Sequence, residues 1–191
     1  RLEAGERQIV LCVAAKRPHK NLARLIAALG RLDRDRRPLL VIAGYTTPYE
    51  LELQRHVAGL GIDDDVRLLG WTDSSMLEGL YAAAECFVFP SLYEGFGLPV
   101  LEAMARGLPV ACSGRGALDE VAGDAALRFD PESPEAIAAA IERLLTDGDL
   151  RERLRQAGLK RASDFTWAAT AAGTLGCYAR ALEARPAPSH R

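Results

Sequence analysis

Two segments combine residue types suited to holding a charged ligand that carries hydroxyl groups. The first is Phe89-Pro-Ser-Leu-Tyr-Glu-Gly-Phe-Gly-Leu-Pro-Val-Leu-Glu102. An apolar run ends at Pro90, a loop with Gly95 and Gly97 follows, and Pro99 suits the first turn of a helix. Glycine permits backbone conformations and close approach that a side chain forbids. The amides of Phe96, Gly97 and Leu98 then face outward at a helix N-terminus. Unpaired N–H groups and the helix dipole favour an anion there, phosphate above all. Glu94 and Glu102 bracket the loop. Carboxylates accept hydrogen bonds from pairs of hydroxyls, as acidic residues do with ribose in dinucleotide folds. The pair therefore suits a diphosphate with a sugar at each end, Glu94 facing one sugar and Glu102 the other. Taken singly each feature has an ordinary explanation: a loop Glu is commonly a solvated charge, a first-turn Glu is stabilised by the dipole, and short glycine motifs recur by chance. Their conjunction at the end of a strand is what points to a site.

The second segment is Val13-Ala-Ala-Lys-Arg-Pro-His-Lys-Asn21. Lys20 falls at the positive end of a helix, where a cation is disfavoured by about 0.3–1 kcal/mol. With Arg17 and His19 beside it, the cluster suits an anion that offsets both; without one it reads as a solvated loop with Asn21 capping the helix. A third segment, Leu68-Leu69-Gly70-Trp71-Thr72, ends a strand. The backbone of Leu69 and Gly70 is placed to read a nucleobase, and Trp71 is expected to cover the core. A fourth, Ser113-Gly-Arg-Gly116, is either a flexible loop that closes over phosphates with Arg115 or a plain turn. No Ser-His-acid or Cys-His order supports a nucleophilic triad, and no ligand spacing of the zinc type is present; no metal is expected.

The elements that must position these segments follow from periodicity. Short apolar runs at Ile9–Val13, Leu39–Ala43, Val66–Leu69, Cys86–Phe89, Pro109–Cys112 and Ala126–Phe129 read as strands buried on both faces. Helical-period stretches separate them: Asn21–Leu32, Pro48–Ala58, Ser74–Ala83, Leu98–Arg106 and a short one at Leu118–Val121. This β-α alternation predicts an α/β fold, a doubly wound parallel sheet of Rossmann-like type. Right-handed crossovers put the loops after every strand on one edge, where such sheets bind ligands. From Pro134 the pattern is purely helical, with Ser133 as cap, a break at Asp147-Gly148-Asp149 and Thr166 capping a last helix, so the sheet carries a helical C-terminal extension. The expected divisions are a linker at 1–8, a Rossmann-like ligand-binding domain at 9–165, a C-terminal helix at 166–184 and a frayed tail at 185–191.

The 191 residues support about one domain, and Lys+Arg 24 against Asp+Glu 26 leaves a net charge of −2. That balance, with aromatic residues at 6%, argues against nucleic acid as a partner. Only Lys16, Lys20 and Lys160 are lysines, so each merits a question. Cys12, Cys86, Cys112 and Cys177 form no CxxC pair and read as reduced thiols of a cytoplasmic protein. No run is long enough to span a membrane and no secretory signal is visible. The abrupt opening Arg-Leu-Glu-Ala-Gly-Glu-Arg reads as a cut inside a larger protein.

Lys20-Asn21, the Gly70 strand end, Phe89-Pro-Ser, Glu94-Gly-Phe-Gly-Leu-Pro-Val-Leu-Glu102-Ala-Met and Gly107-x-Pro-Val occur in the order seen in one family. Together they resemble the C-terminal, donor-binding domain of the retaining GT-B glycosyltransferases of family 4, the group 1 transferases. The resemblance runs from about Ile9 to Leu182. It implies a hexosyl transfer, with mannosyl as one possibility, from a GDP- or UDP-sugar, with retention and with no permanently bound cofactor. It implies Lys20 and Glu94 as the catalytic residues, Lys20 neutralising the departing diphosphate and Glu94 contacting the donor sugar. It assigns the loop of Gly95, Phe96, Gly97 and Leu98 to phosphate and Glu102 to the ribose diol; Arg17, Leu69 and Gly70, on the same edge, are the further candidates for binding the nucleotide. The sugar or lipid-linked acceptor belongs to an N-terminal domain, without which this half is inactive. Peripheral association of the whole enzyme with the inner face of the plasma membrane fits such an acceptor. Ala14-Ala15 stands where the family often has Gly-Arg, leaving Lys16 and Arg17 as candidates to replace that Arg. Asp119 stands where Pro is common. Two other readings share the fold: a non-catalytic nucleotide-sugar-binding module and a sugar-nucleotide 2-epimerase.

Overall fold

The computed structural model describes Gly5 and residues 7–183. The expected tail at 185–191, and most of the expected linker at 1–8, lie outside the described residues. Six strands form one parallel sheet: β1 (Ile9–Val13), β2 (Leu39–Ala43), β3 (Val66–Leu69), β4 (Cys86–Phe89), β5 (Val110–Ser113) and β6 (Leu127–Phe129), in the order β3-β2-β1-β4-β5-β6. The doubly wound reading is thus observed. Every residue of β2, β4 and β5 is buried, as a parallel sheet covered on both faces requires. Register runs Ile9 to Leu39 through Val13 to Ala43 on one side of β1, and Val10 to Cys86 and Leu11 to Phe87 on the other.

The helices are α1 (Leu22–Gly30), α2 (Glu50–Leu60), α3 (Ser74–Ala83), α4 (Leu98–Ala105), α5 (Ala117–Ala122), α6 (Pro134–Thr146), α7 (Gly148–Ser163) and α8 (Trp167–Glu183). Helix α1 buries Leu22, Leu25, Ile26 and Leu29 and packs on α2 and α6, while α4 packs on α5 and α7. Local chemistry sets the boundaries. Ser133 Oγ accepts from the Ala136 amide with Pro134 at the first helical position. Asp147 ends α6 and caps α7 by accepting from the Leu150 amide, and Thr166 Oγ1 accepts from the Ala169 amide to open α8. Gly61, at φ 64°, closes α2 in the left-handed conformation. That stop lies beyond the expected Ala58, because Val57 and Leu60 extend the helix before glycine terminates it. Among the described residues no helix is long and apolar enough to cross a membrane.

The order in which strands are added reverses between β1 and β4: β2 and β3 extend the parallel sheet on one side of β1, and β4, β5 and β6 extend it on the other. The loops that leave β1 and β4 therefore diverge and open a crevice at the carboxyl edge of the sheet, the ligand position of doubly wound folds.

Candidate nucleotide-sugar site

The two motif-bearing loops meet across this crevice. Lys20 Nζ lies 2.6 Å from Glu94 Oε1, with both side chains mostly buried, and 5.5 Å from the centre of the Phe89 ring. The Leu92 amide donates to the His19 carbonyl at 2.9 Å, and the His19 and Tyr93 rings stack at 4.9 Å. Lys20 ends a short 3₁₀ turn (Pro18–Lys20) rather than opening α1. Its charge is therefore offset by Glu94, not left against a helix dipole.

Asn21 does not cap α1 through its side chain. It takes φ 59°, a left-handed conformation in which Asn is among the few tolerated non-glycine residues. Its buried Nδ2 donates to the carbonyls of Pro90 (3.0 Å) and Pro131 (2.7 Å), and its Oδ1 accepts from Arg24 Nη1 at 2.9 Å. It is a staple between the β1 loop, the end of β4 and the loop after β6.

Gly97 precedes α4 at φ 105°, and a Cβ there would overlap the Leu118 side chain. Only glycine fits without strain. Gly95 differs: its φ is ordinary and open space surrounds the place a Cβ would take, so the backbone does not demand glycine there. The amides of Phe96, Gly97 and Leu98 donate to no acceptor among the described residues. Glu102 lies further along α4, half-buried, and accepts a 3.2 Å hydrogen bond on Oε2 from the phenol of Tyr81.

At the other end of the crevice, the carbonyls of Leu69 and Gly70 are already engaged. Leu69 O accepts from Lys16 Nζ and Gly70 O from the Gly44 amide at 3.2 Å. Lys16 is wholly buried; it also donates to Gly44 O at 2.9 Å and pairs with Glu50 at 3.3 Å. Its ammonium ties the ends of β2 and β3 together and does not face the crevice, which removes it as a replacement for the absent family Arg. Arg17 is exposed and its guanidinium makes no hydrogen bond or ion pair among the described residues. Trp71 is 65% exposed and does not cover the core; it follows the edge strand β3. Arg115 bonds Asp130 and Glu132, so in this state its loop is turned toward the segment after β6. Sequence reasoning missed Tyr81 and the structural use of Lys16. The scarcity of lysine was a signal for the latter; nothing local marks Tyr81.

Burial pushes the Cys12, Cys86 and Cys112 thiols up to about 12, leaving them inert as nucleophiles near neutral pH. No group of His, Cys, Asp and Glu suited to a metal ion occurs among the described residues.

Comparison with known proteins agrees with this geometry. The family model for glycosyl transferases group 1 matches residues 1–161. The chain is 39% identical over 170 residues to O-antigen chain mannosyltransferase B of Escherichia coli, covering 88% of this chain and 45% of that protein. It is 35% identical over 179 residues to MMP alpha-(1->4)-mannosyltransferase of Mycolicibacterium hassiacum, covering 92% and 43%. The chain thus spans about half the length of these relatives. Among solved structures, sucrose-phosphate synthase from Thermosynechococcus elongatus superposes with TM-score 0.80 at 31% identity, over 94% of this chain and 47% of that one. The isolated C-terminal domain of a group 1 glycosyl transferase from Francisella tularensis superposes with TM-score 0.71 at 29% identity, over 84% of this chain and 86% of that one. HepE from Anabaena, in complex with UDP and glucose, shares the fold with TM-score 0.79 at 23% identity, over 85% of this chain and 45% of that one. With its parallel sheet, its divergent loops at the β1–β4 junction and a family match over most of its length, this chain belongs to the group 1 glycosyl transferases.

Proposed function

We propose that this chain is the donor-binding half of a hexosyltransferase, taking a nucleoside diphosphate sugar across the β1–β4 crevice and transferring the sugar with retention. The observation that carries the reading is the Lys20–Glu94 pair beside the three undonated amides of Phe96, Gly97 and Leu98. A cation, three fixed N–H groups and a carboxylate within one crevice complement a diphosphate joined to a polyol. In glycosyl transfer the anomeric carbon gains positive charge and the leaving diphosphate gains negative charge. Lys20 and the amides meet the second of these without reorganising, and loss of one such donor costs about 2.7–4 kcal/mol of barrier. Glu94 holds hydroxyls of the transferred sugar, and Glu102 holds the ribose. Arg17 is free to reach the phosphates from the rim. The names of the relatives favour a mannosyl donor, and HepE, which shares the fold, holds UDP and glucose. The acceptor belongs to the half of the protein that the relatives have and this chain does not span, and transfer requires both halves. On this reading residues 9–165 hold the donor, and α8 returns toward the acceptor half.

The test is calorimetric titration of the protein at its full natural length with GDP, UDP, ADP and their hexose conjugates, with product configuration read by NMR. One base bound in preference, weakened by Lys20→Ala and by Glu102→Gln, is the expected result. Absence of binding by every nucleotide, or affinity indifferent to both substitutions, overturns the reading. Donor binding with no turnover would indicate the binding-module alternative, and donor turnover without transfer to an acceptor the epimerase.

A further inference from the structure

Glu102 is only half of a hydrogen-bonded unit. Tyr81 on α3 is buried, with its ring packed 6.0 Å from that of Phe87. Its hydroxyl reaches across to α4 and donates to Glu102 Oε2, while Oε1 makes no bond among the described residues. Arg106 lies over the phenol ring, its guanidinium carbon 4.6 Å from the ring centre. That guanidinium is itself fixed. It donates from Nη1 to the Glu102 carbonyl at 2.8 Å, and from Nε and Nη2 to both carboxylate oxygens of Glu78, the Nε bond being 2.9 Å. Bidentate pairing of this kind sets orientation as well as position. Burial, and then the Glu102 carboxylate, push the Tyr81 phenol well above its ordinary range, so near neutral pH it donates to the carboxylate.

We propose that Tyr81 is a positioning residue that presents one oxygen of Glu102 to the vicinal hydroxyls of a nucleotide's ribose, with Arg106 and Glu78 clamping the phenol. The inference rests on the reading of Glu102 as the ribose ligand. A glutamate turns about three side-chain bonds, and a cyclic diol needs its acceptor in one place. The phenol holds Oε2 and leaves Oε1 directed by elimination to the ligand. Helix α3 also follows β3, whose end carries Leu69 and Gly70.

The experiment measures Kd for GDP, UDP and ADP, each beside its 2′,3′-dideoxy counterpart, in the full-length protein and its variants. The wild type is expected to prefer the ribonucleotide, and Glu102→Gln to abolish the preference. Tyr81→Phe is expected to reduce it about three- to tenfold while leaving dideoxynucleotide affinity unchanged. Replacing Tyr81 with 4-aminophenylalanine restores a donor and is expected to restore the preference. Loss of folding alone would weaken both nucleotide forms together, and the amino analogue, which keeps the ring and a donor, remains informative if Tyr81→Phe is unstable. A wild type indifferent to the ribose hydroxyls overturns the assignment of Glu102, and this inference with it. A normal wild type and Glu102→Gln, combined with full preference in Tyr81→Phe, overturns the role of Tyr81 alone. Failure of the amino analogue to exceed Tyr81→Phe does the same.

Discussion

Lys20 and Glu94 neutralise each other across the crevice, so a ligand that takes one must compete with the other. On the proposed reading, a diphosphate without a sugar draws on Lys20 and gains nothing from Glu94, whose carboxylate opposes it. Glu94→Gln is therefore expected to tighten binding of the bare nucleoside diphosphate several-fold. It is also expected to remove the extra affinity for the sugar conjugate. Lys20→Ala takes away a charge-assisted donor, worth about 1.5–3 kcal/mol, and should weaken diphosphate binding at least tenfold. Paired titrations of nucleoside diphosphate and nucleotide sugar into both variants check the two signs. Weaker diphosphate binding in Glu94→Gln would show that the carboxylate supports the anion site rather than competing with it. The identities of Lys20, Glu94 and Glu102 were legible as a pattern in the chain. Their pairing was not, because Lys20 and Glu94 are far apart in sequence and meet only where the sheet reverses.

At the scale of elements, Asn21 joins three loops. Asn21→Ala loses two buried donor bonds, about 1 kcal/mol each, and forces alanine to φ 59°, a further cost of about 1–2 kcal/mol. Urea denaturation should show a loss of about 3–4 kcal/mol. Asn21→Gly keeps the backbone at ease and should lose about 1–2 kcal/mol less than alanine does. Equal losses for the two variants would mean that the left-handed backbone carries no strain. Local pattern named most elements: caps at Ser133 and Thr166, the break at Asp147, and apolar runs at all six strands. It misread Asn21 as a cap, because an Asn before an apolar helix looks the same whether its side chain turns inward to its own helix or outward to a neighbouring strand. Only the neighbour decides.

For the molecule as a whole, three buried thiols make folding sensitive to alkali. Cys12, Cys86 and Cys112 stay protonated in the native state up to about pH 12, whereas in the unfolded chain thiols ionise near about 8.5. A pKa raised by folding contributes stability that is complete below the unfolded value and is lost as pH rises toward the folded one. Stability should thus fall above about pH 9. Cys112→Ala should reduce that slope by about 1.4 kcal/mol per pH unit, as read from denaturation midpoints between pH 8 and 11. An unchanged slope would assign the alkaline loss to other groups. Iodoacetamide at pH 8 should label Cys177 alone in the folded protein, since it is the exposed thiol. Helix α8 buries nothing among the described residues and exposes Trp167, Leu175, Tyr178 and Leu182. Its amides should exchange with solvent much faster than those of α1, because an isolated helix without packing is marginal in water.

The sequence by itself determined the kind of fold and the family: apolar runs of strand length spaced by helices dictate a covered parallel sheet, and the ordered glycine, lysine and paired-glutamate segments carry the pattern of the group 1 glycosyl transferases. Those signals are local, carried by residue type and spacing. The tertiary structure alone decided which charges meet, that Lys16 is spent on strand carbonyls, that Trp71 stands in solvent and that a phenol on α3 holds Glu102. Each of these depends on side chains from distant segments brought to one sheet edge, and hydrogen bonds act only over a few ångströms that no spacing along the chain can specify.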